Sequence, residues 1–261
     1  MRHTVSLMLS LSAARMLVVL LFAGSLAACG GAPGSDADAD TSELTVLAAS
    51  SLTDVFEDLA TEFEAEHDGT SVTFSFGSST DLAEQVADDA PGDVLATADE
   101  TSMGLAGDAD VIGEVVPFAT NVLTIVTPAD NPAGIESLDD LDGSTWVRCT
   151  DDAPCGKVAT ALLAENDITA EPVSLEEDVR ATLDKVVSGE ADAGLVYATD
   201  AVAAGDAVVA IEIPGAESAL TSYFTTVLKQ SADAELAQEW VDFVASDEGQ
   251  AILEQAGFGK P

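Results

Sequence analysis

Four segments of this sequence combine the predicted start of a helix with small or hydroxyl residues, a combination that can bind an anion. They span residues 48–54, 75–81, 154–157 and 176–180. The first N–H groups of a helix have no partner inside the helix, and this end carries about half a positive charge. Four such ends in one place would balance a doubly negative ion without Lys or Arg. A single Ser or Thr at a helix start is usually only a cap, so the prediction of an anion site depends on all four segments together.

The residue types that most enzymes use are sparse in this sequence. His3 lies in an apolar N-terminal segment, so His67 is the only histidine in the rest of the chain, and the acidic residues around it indicate a surface position. A Ser-His-Asp hydrolase would need His67 as its base, and no G-x-S-x-G motif occurs. Neither a P-loop nor a G-x-G-x-x-G turn is present. We therefore predict a binding protein without enzymatic activity, cofactor or metal-ion ligands.

The N-terminal segment 1–28 has the pattern of an export signal. Arg2 and Arg15 precede an apolar run, 18–22, that is too short to span a bilayer and is followed by small residues. The sequence Leu-Ala-Ala-Cys, which ends at Cys29, resembles the lipobox of bacterial lipoproteins, in which the cysteine is acylated and becomes the first residue of the mature chain. The resemblance implies a lipid anchor. An ordinary secretory signal with a chance cysteine is the alternative, and either interpretation puts the protein outside the cell.

Two further cysteines, Cys149 and Cys155, are six residues apart in the sequence. In an exported protein this spacing favours a short-loop disulfide over free thiols. Two cysteines alone make a poor zinc site. A bridge across so small a ring would contribute about 2 kcal/mol by loop entropy, so we expect its main effect to be a stiffer local backbone.

The composition excludes some partners and indicates a folded body. The chain has 8 basic and 48 acidic residues and a formal net charge of −40, which argues against nucleic acid as a partner. Hydrophobic residues make up 47% of the chain, which is enough for a core, so the acidity does not imply disorder. Residues 29–43 contain Gly, Pro, Ser and Asp and no apolar residue larger than Pro apart from the cysteine. We predict a flexible tether there.

Strand-like and helix-like segments alternate through the rest of the chain. Residues 44–48 have a strand pattern, 51–67 repeat apolar residues at helical spacing, and 72–76 return to a strand pattern. Ser51 and Asp54 match the Ser-x-x-Asp pattern of a capping box. Such alternation predicts α/β structure with mostly parallel sheets that carry helices on both faces.

The alternating elements form two blocks, joined by strands near Val122 and near Phe224. We predict one lobe from residues 44–121 plus 222–261 and a second lobe from residues 122–221. In open α/β sheets, ligands bind at the carboxyl ends of the strands. The four helix starts follow strands, so we expect them to meet in the cleft between the two lobes.

Several motifs together resemble one family, the molybdate-binding proteins of the extracellular solute-binding class that serve ATP-driven (ABC) transporters. The similarity covers nearly the whole chain after the tether. The motifs are LAASSLT at 47–53, FGSS at 76–79, APGDV at 90–94, TAD at 97–99, EDVR at 177–180, GLVYATD at 194–200, SDEGQ at 246–250 and GF at 257–258. The resemblance implies a type II periplasmic-binding-protein fold, in which two α/β lobes are joined by two crossover strands with a ligand cleft between them.

The resemblance also implies a set of neutral hydrogen-bond donors from both lobes. By motif, Ser51 and Ser79 each supply a hydroxyl and a backbone N–H. The second lobe supplies the backbone N–H groups of Cys155 and Val179 and the hydroxyl of Tyr197. Cys155 departs from the alanine that the family pattern leads us to expect, but a backbone donor needs no particular side chain.

The function that the resemblance implies is the capture of molybdate or tungstate outside the cell and its delivery to the permease of an ABC transporter. We expect a monomer, held to the extracellular face of the membrane by its lipid or located in the periplasm. A binder of another oxyanion, sulfate or phosphate, is one alternative. A lipoprotein with only a structural or adhesive role is the other.

Overall fold

A computed structural model describes residues 41–261 of the chain. The predicted signal segment 1–28, the predicted lipidation site Cys29 and most of the predicted tether 29–43 lie outside the described residues, so these assignments stay predictions. No helix within residues 41–261 is long and apolar enough to cross a membrane.

Ten strands form in the described part of the chain. The first begins two residues before the predicted start at Leu44, because Ser42 and Glu43 pair with the second strand. In chain order the strands are β1 (Ser42–Ala49), β2 (Thr70–Gly77), β3 (Val94–Thr97), β4 (Val116–Asn121), β5 (Leu123–Pro128), β6 (Trp146–Cys149), β7 (Ser174–Glu176), β8 (Ala193–Tyr197), β9 (Val208–Glu212) and β10 (Thr221–Val227).

Eight α-helices lie between or after these strands within residues 41–261. Several follow a strand directly, as the sequence pattern predicts. The helices are α1 (Thr53–Glu66), α2 (Ser79–Ala87), α3 (Glu100–Asp108), α4 (Pro154–Glu165), α5 (Val179–Val187), α6 (Ala198–Ala204), α7 (Ala234–Ala245) and α8 (Asp247–Gln255).

The strands form two five-stranded sheets with the same internal plan. The first sheet has the order β2-β1-β3-β10-β4, and the second has the order β7-β6-β8-β5-β9. In each sheet four strands run parallel and one runs antiparallel, β10 in the first sheet and β5 in the second. These antiparallel strands are the ones by which the chain enters from the other sheet. They are the strands predicted near Phe224 and Val122, and the prediction of mostly parallel sheets is confirmed.

Each sheet is buried by helices, because its strands carry apolar residues toward both faces. In β1, Val46 and Ala48 pack into a core with Phe56 and Trp240, whereas Leu47 points to the opposite face and packs in a second core. A separate core surrounds the second sheet and contains the fully buried Trp146. Burial of each such large side chain contributes about 1.5–3 kcal/mol. Each sheet is therefore packed against hydrophobic cores of its own. The predicted lobe bounds, 44–121 plus 222–261 and 122–221, stay a prediction.

Candidate functional site

A small cavity lies between elements of the two sheets, at the carboxyl ends of parallel strands. All five residues predicted to bind a ligand line it. Its wall consists of Ala49, Ser50, Ser51, Gly77, Ser78, Ser79, Ala98, Ala153, Pro154, Cys155, Asp178, Val179 and Tyr197. Its volume is about 10 Å³, so the space suits one compact ion rather than an organic molecule.

The first-sheet side of the wall presents two serines at helix starts. Ser51 lies in a short 3-10 turn, Ser50–Leu52, between β1 and α1, and Ser79 is the first residue of α2 after β2. Both are buried, Ser79 completely. The Ser51 hydroxyl oxygen is 2.9 Å from the Tyr223 hydroxyl oxygen, and the Ser79 hydroxyl accepts the N–H of Ala98 at 2.9 Å. Each serine is thus held in one orientation by a fixed neighbour.

The second-sheet side presents main-chain N–H groups at the starts of α4 and α5. Pro154 occupies the first turn of α4, where its missing N–H costs nothing, and Cys155 follows it. Asp178 caps α5 by accepting the N–H groups of Arg180 and Ala181 at 2.8 and 3.0 Å. That cap does not use the N–H of Val179. Both helix starts therefore offer backbone donors at the cavity.

Two features fix the start of α4 against the end of β6. The structure joins Cys149 to Cys155 by a disulfide, with Cα atoms 5.9 Å apart. Gly156 lies so close to the preceding turn that a Cβ at this position would be 1.7 Å from the carbonyl oxygen of Thr150. Only glycine permits this approach, so the direction of the Cys155 N–H depends on Gly156 as well as on the bridge.

Tyr197 ends β8 and completes the wall. It is 1% exposed, and Thr221 donates its hydroxyl to the Tyr197 hydroxyl oxygen at 3.4 Å. Burial, together with the nearby Tyr223 and acidic residues, raises the pKa of Tyr197 well above its ordinary value. The side chain therefore stays neutral and keeps its proton as a hydrogen-bond donor.

A hydrogen-bonded group behind Ser51 was not indicated by any sequence motif. Asn121, at the end of β4, donates its side-chain amide to the hydroxyl oxygens of Thr199 at 2.7 Å and Tyr223 at 3.3 Å. Tyr223 in turn contacts Ser51. All of these residues are buried. The cluster connects β4, β10 and α6 to the first-sheet side of the cavity.

The predicted capping box at the start of α1 is wrong. The helix begins after Leu52, and no side chain caps it. The Ser51 hydroxyl contacts Tyr223 instead, and the Asp54 carboxylate accepts a hydrogen bond from Arg180 at 2.7 Å. Both residues are used in contacts far along the chain, which outweigh the local cap.

Contacts between elements of the two sheets surround the cavity. Arg180 pairs with Asp54 at 2.7 Å, and Lys157 pairs with Asp99 at 2.7 Å. The Thr80 hydroxyl also donates to the carbonyl oxygen of Asp152 at 2.8 Å. These contacts hold the two sides of the wall together, as a closed clamp requires.

The cavity wall has no Lys or Arg, and its only charged residue is Asp178. Behind Tyr197, the buried Asp200 accepts the backbone N–H of Tyr197 at 3.2 Å, and burial raises its pKa to about 7. Arg180 lies 3.8 Å from Asp200 and opposes that rise. Among residues 41–261, no group of three or more His, Cys, Asp or Glu side chains is arranged to hold a metal ion. The wall can therefore attract an anion only through hydroxyl groups, N–H groups and helix ends.

Sequence comparison connects this chain to known binding proteins. Residues 44–259 match the family of bacterial extracellular solute-binding proteins. The molybdate-binding protein ModA of Mycobacterium tuberculosis is 36% identical over 252 residues, which cover 94% of this chain and 97% of the relative. The molybdate-binding protein ModA of Escherichia coli K12 is 31% identical over 254 residues, which cover 91% of this chain and 96% of the relative.

Structural comparison gives the same fold. The periplasmic molybdate-binding protein of Azotobacter vinelandii has a TM-score of 0.74 and 21% identity, with 84% of this chain and 99% of that chain covered. The sulfate-binding protein SubI from Mycobacterium tuberculosis H37Rv has a TM-score of 0.73 and 21% identity, with 83% of this chain and 86% of that chain covered. These similarities confirm the predicted periplasmic-binding-protein fold of two lobes.

Proposed function

Because this chain belongs to the bacterial extracellular solute-binding proteins, in the group of the molybdate-binding proteins, we propose that it captures molybdate or tungstate outside the cell for an ABC importer. It is a binding component of transport and not an enzyme. The molybdate binding of its relatives supports the choice of ligand.

The proposal rests on the set of residues that line the cavity between elements of the two sheets. Hydroxyl groups of Ser51, Ser79 and Tyr197 and main-chain N–H groups of Cys155 and Val179 line one space without a cationic side chain. Helix starts supply partial positive charge there. This chemistry suits a compact dianion, because the donors together balance its charge and leave none of its oxygens without a partner.

The donor set is strong enough for tight binding. Ser51 and Ser79 with two donors each, and Cys155, Val179 and Tyr197 with one each, give about seven. Hydrogen bonds to a charged group contribute about 1.5–3 kcal/mol each, or roughly 10–20 kcal/mol in total. Association and ordering cost about 4–15 kcal/mol. The surplus allows a submicromolar dissociation constant.

Ligand binding would close the two proposed lobes, 44–121 plus 222–261 and 122–221, because each supplies part of the donor shell. The pairs Arg180–Asp54 and Lys157–Asp99 connect the two sides, and they would form on closure. The closed protein would then dock on the permease.

The location and assembly of the protein follow the same proposal. We place the mature chain on the outer face of the membrane as a monomer, held by lipid on Cys29 through a tether that ends where β1 begins at Ser42. The lipobox resemblance supports the anchor, and the family supports a position outside the cytoplasm. Metabolic labelling with a fatty acid would test the anchor, and Cys29→Ser would abolish the label.

Sulfate is a second candidate ligand. The structural similarity to a sulfate-binding protein, with a TM-score of 0.73, and the small volume of the cavity favour it over larger organic anions. Tetrahedral oxyanions share the required geometry and differ in size. A measurement of the relative affinities for sulfate and molybdate therefore decides between the two candidate ligands.

A thermal-shift panel with molybdate, tungstate, sulfate and phosphate tests the function. A ligand at 100 times its dissociation constant stabilises by about 2.7 kcal/mol, which raises the melting temperature of a domain of this size by about 5–10 °C. We expect molybdate and tungstate to give this shift, and sulfate and phosphate to give little. A shift with sulfate alone would support the second candidate, and no shift with any anion would support a structural role.

Ser51→Ala tests the site within the same panel. Loss of one hydroxyl donor to a dianion should weaken molybdate binding about 10- to 100-fold without unfolding the protein. Ser188→Ala is the matched control, because Ser188 is exposed at the end of α5. Unchanged affinity in Ser51→Ala would remove Ser51 from the site.

A further inference from the structure

Arg180 lies between two carboxylates, one beside each sheet. Its Nη1 atom is 2.7 Å from Oδ2 of Asp54 on α1 and 3.8 Å from Oδ1 of Asp200 on α6. The guanidinium therefore hydrogen-bonds to Asp54 and is too far from Asp200 for a hydrogen bond. The Asp54 side chain is 53% exposed, whereas the Asp200 side chain is 0% exposed. The cation is thus bound to the carboxylate that water can also solvate.

Asp200 has few partners for a buried carboxylate. Its Oδ2 accepts the N–H of Tyr197 at 3.2 Å, and its Oδ1 has no hydrogen-bond partner within residues 41–261. Burial raises the pKa of Asp200 to about 7, and Arg180 and the N–H of Tyr197 oppose that rise. The negative charges of Asp54 and Asp178 add to it. The charged form of Asp200 therefore depends on how closely Arg180 approaches.

Arg180 is the only cation that acts on Asp200 in the described part of the chain. Two tyrosines adjoin the carboxylate, Tyr197 on β8 and Tyr223 on β10, and both stay neutral because burial raises their pKa values. Exposed ionisable residues on the other elements around α6 are Asp58, Asp206, Glu212, Glu254 and Lys260. The last two pair with each other at 2.8 Å. Arg180 is therefore the group placed to compensate the charge of Asp200.

Separation of the two proposed lobes would leave Arg180 beside Asp200. Asp54 belongs to the first proposed lobe, whereas Arg180 and Asp200 both belong to the second, so Asp54 departs with α1 on opening. The unpartnered Oδ1 of Asp200 is only about 1 Å beyond hydrogen-bond range, and a small rotation of the Arg180 side chain closes that gap. A neighbouring opposite charge lowers the pKa of a carboxylate by about 1–3. Asp200 is therefore ionised in the open form at neutral pH.

We propose, on the basis of the proposed function, that Arg180 is a positioning residue that exchanges partners when the protein closes on its ligand. It leaves Asp200 for Asp54, and a proton from the buffer adds to the free oxygen of Asp200. Opening reverses both steps and returns the proton. Capture of the anion is thereby coupled to uptake of a proton at a carboxylate that does not line the cavity.

The other ion pair across the cavity offers an internal comparison. Lys157 binds Oδ2 of Asp99 at 2.7 Å, and Oδ1 of Asp99 accepts the N–H of Ser102 as the cap of α3. Among residues 41–261, Asp200 is the only carboxylate with a buried oxygen that lacks a hydrogen-bond partner. Closure at Lys157 and Asp99 therefore forms an ion pair without the transfer of a proton.

Titration calorimetry with molybdate, in two buffers that contain no oxyanion and differ in ionisation enthalpy, counts the protons taken up on binding. Molybdate stays a dianion between pH 6 and pH 8, so a proton that is taken up enters the protein. For the wild type we expect about half a proton or more per molybdate near pH 6.5. Because the closed form holds the proton more tightly, affinity should rise as pH falls through about 7, about five- to tenfold from pH 8 to pH 6.

Two substitutions separate the carboxylate from the exchange. Asp200→Asn removes the group that is protonated, so uptake should fall below about 0.1 proton and affinity should no longer depend on pH in this range. Asp54→Asn keeps Asp200 but weakens the partner that draws Arg180 away, so uptake should fall at least about twofold. Asp54 is exposed, so this variant decides the question if Asp200→Asn does not fold.

Two matched controls change the same charge elsewhere. Asp58→Asn lies one turn further along α1 at an exposed position, outside the contact with Arg180. Asp99→Asn weakens the other ion pair across the cavity. Both variants should take up as many protons per bound molybdate as the wild type. The exchange also predicts that the pH dependence of stability due to Asp200 is larger with molybdate than without it.

Molybdate binding without proton uptake in the wild type would overturn the proposal and leave the proposed function intact. Uptake in Asp54→Asn equal to that of the wild type would show that the charge of the anion alone acts on Asp200, and would overturn the exchange. Uptake that persists in Asp200→Asn would assign the proton to another group. A wild type that does not bind molybdate would contradict the proposed function, and the same count with sulfate would then decide the exchange. Binding of neither anion would contradict both.

Discussion

The two sides of the cavity wall differ in the donors that we propose for most of the binding. The first-sheet side depends on the hydroxyl groups of Ser51 and Ser79, whose orientation is set by Tyr223 and Ala98. The second-sheet side offers main-chain N–H groups at the starts of α4 and α5, together with the hydroxyl of Tyr197. A hydroxyl donor needs a neighbour to direct its proton, whereas a main-chain donor needs a backbone that cannot move.

This difference predicts how each side fails. On the first-sheet side, a substitution that removes a hydroxyl removes a donor. At Cys155 and Val179, a change of side chain leaves the main-chain N–H in place, so the proposed donor is lost only when the backbone is displaced. Substitutions on the two sides should therefore differ in how much they weaken anion binding and in how much they destabilise the protein.

The largest effect should come from displacing α4. In Gly156→Ala the new Cβ would lie 1.7 Å from the Thr150 carbonyl oxygen, so the helix start must move. We expect a loss of about 3 kcal/mol in the free energy of unfolding and of about 100-fold in molybdate affinity, because small displacements of binding groups are costly. Chemical denaturation and calorimetry measure the two quantities.

Gly104→Ala is the control for this substitution. Gly104 lies inside α3, and a Cβ there would meet nothing within 4 Å. Alanine should stabilise the helix by about 0.5–1 kcal/mol and leave molybdate affinity unchanged. If Gly156→Ala behaved like Gly104→Ala, the close approach of α4 to the preceding turn would have no role in binding.

A pair of substitutions, one on each side, should give the next largest contrast. Ser79→Ala removes a hydroxyl donor and leaves the Ala98 N–H without its acceptor, so we expect molybdate affinity to fall about 10- to 100-fold. Val179→Ala keeps its main-chain N–H, and affinity should stay within about threefold although core packing is reduced. Equal losses in the two variants would show that the sides do not differ in kind.

Two buried carboxylates, one beside each sheet, differ in the hydrogen bonds that they accept. Beside the first sheet, Asp93 accepts hydrogen bonds from the N–H groups of Thr45 and Ala232 and the hydroxyl of Ser231. Beside the second sheet, Asp200 accepts one hydrogen bond, from the N–H of Tyr197. Its other oxygen has no hydrogen-bond partner in the described part of the chain. The charged form of Asp200 is therefore poorly compensated, and burial raises its pKa to about 7 from 3.8.

The smallest effect should be a pH dependence of stability that comes from Asp200. Because the folded protein holds this proton more tightly than the unfolded chain, the contribution is fully present below about pH 4 and is lost as pH rises through about 7. Relative to Asp200→Asn, the wild type should lose on the order of 2 kcal/mol between pH 4 and pH 8. Asp93→Asn should destabilise instead, because an amide nitrogen cannot accept the bonds that Asp93 receives. A pH-independent difference between wild type and Asp200→Asn would contradict the assignment.

The position of much of the candidate site was predictable from sequence because its parts follow parallel strands. Ser51 and Ser79 come just after neighbouring parallel strands of the first sheet, and Cys155 follows a parallel strand of the second sheet, so the strand-then-helix pattern indicates their position. The main-chain donors were predictable for the same reason, since every helix start exposes N–H groups whatever its side chains are.

The remaining parts were not predictable from local pattern because they depend on contacts between distant residues. Tyr223 lies 172 positions from Ser51, and Asn121 lies 102 positions from Tyr223. Tyr223 has only the signal of a strand residue. For the same reason the capping box at Ser51 and Asp54 was wrong, because a local motif cannot reveal that both side chains have distant partners.

The most direct test of the account is a crystal structure with tungstate, located by the anomalous scattering of tungsten. We expect a single strong peak in the cavity, with oxygens about 2.7–3.1 Å from the hydroxyl groups of Ser51, Ser79 and Tyr197 and from the N–H groups of Cys155 and Val179. A peak at another place, or a tungstate held by a Lys or Arg side chain, would contradict the claim that neutral donors from both sides bind a dianion.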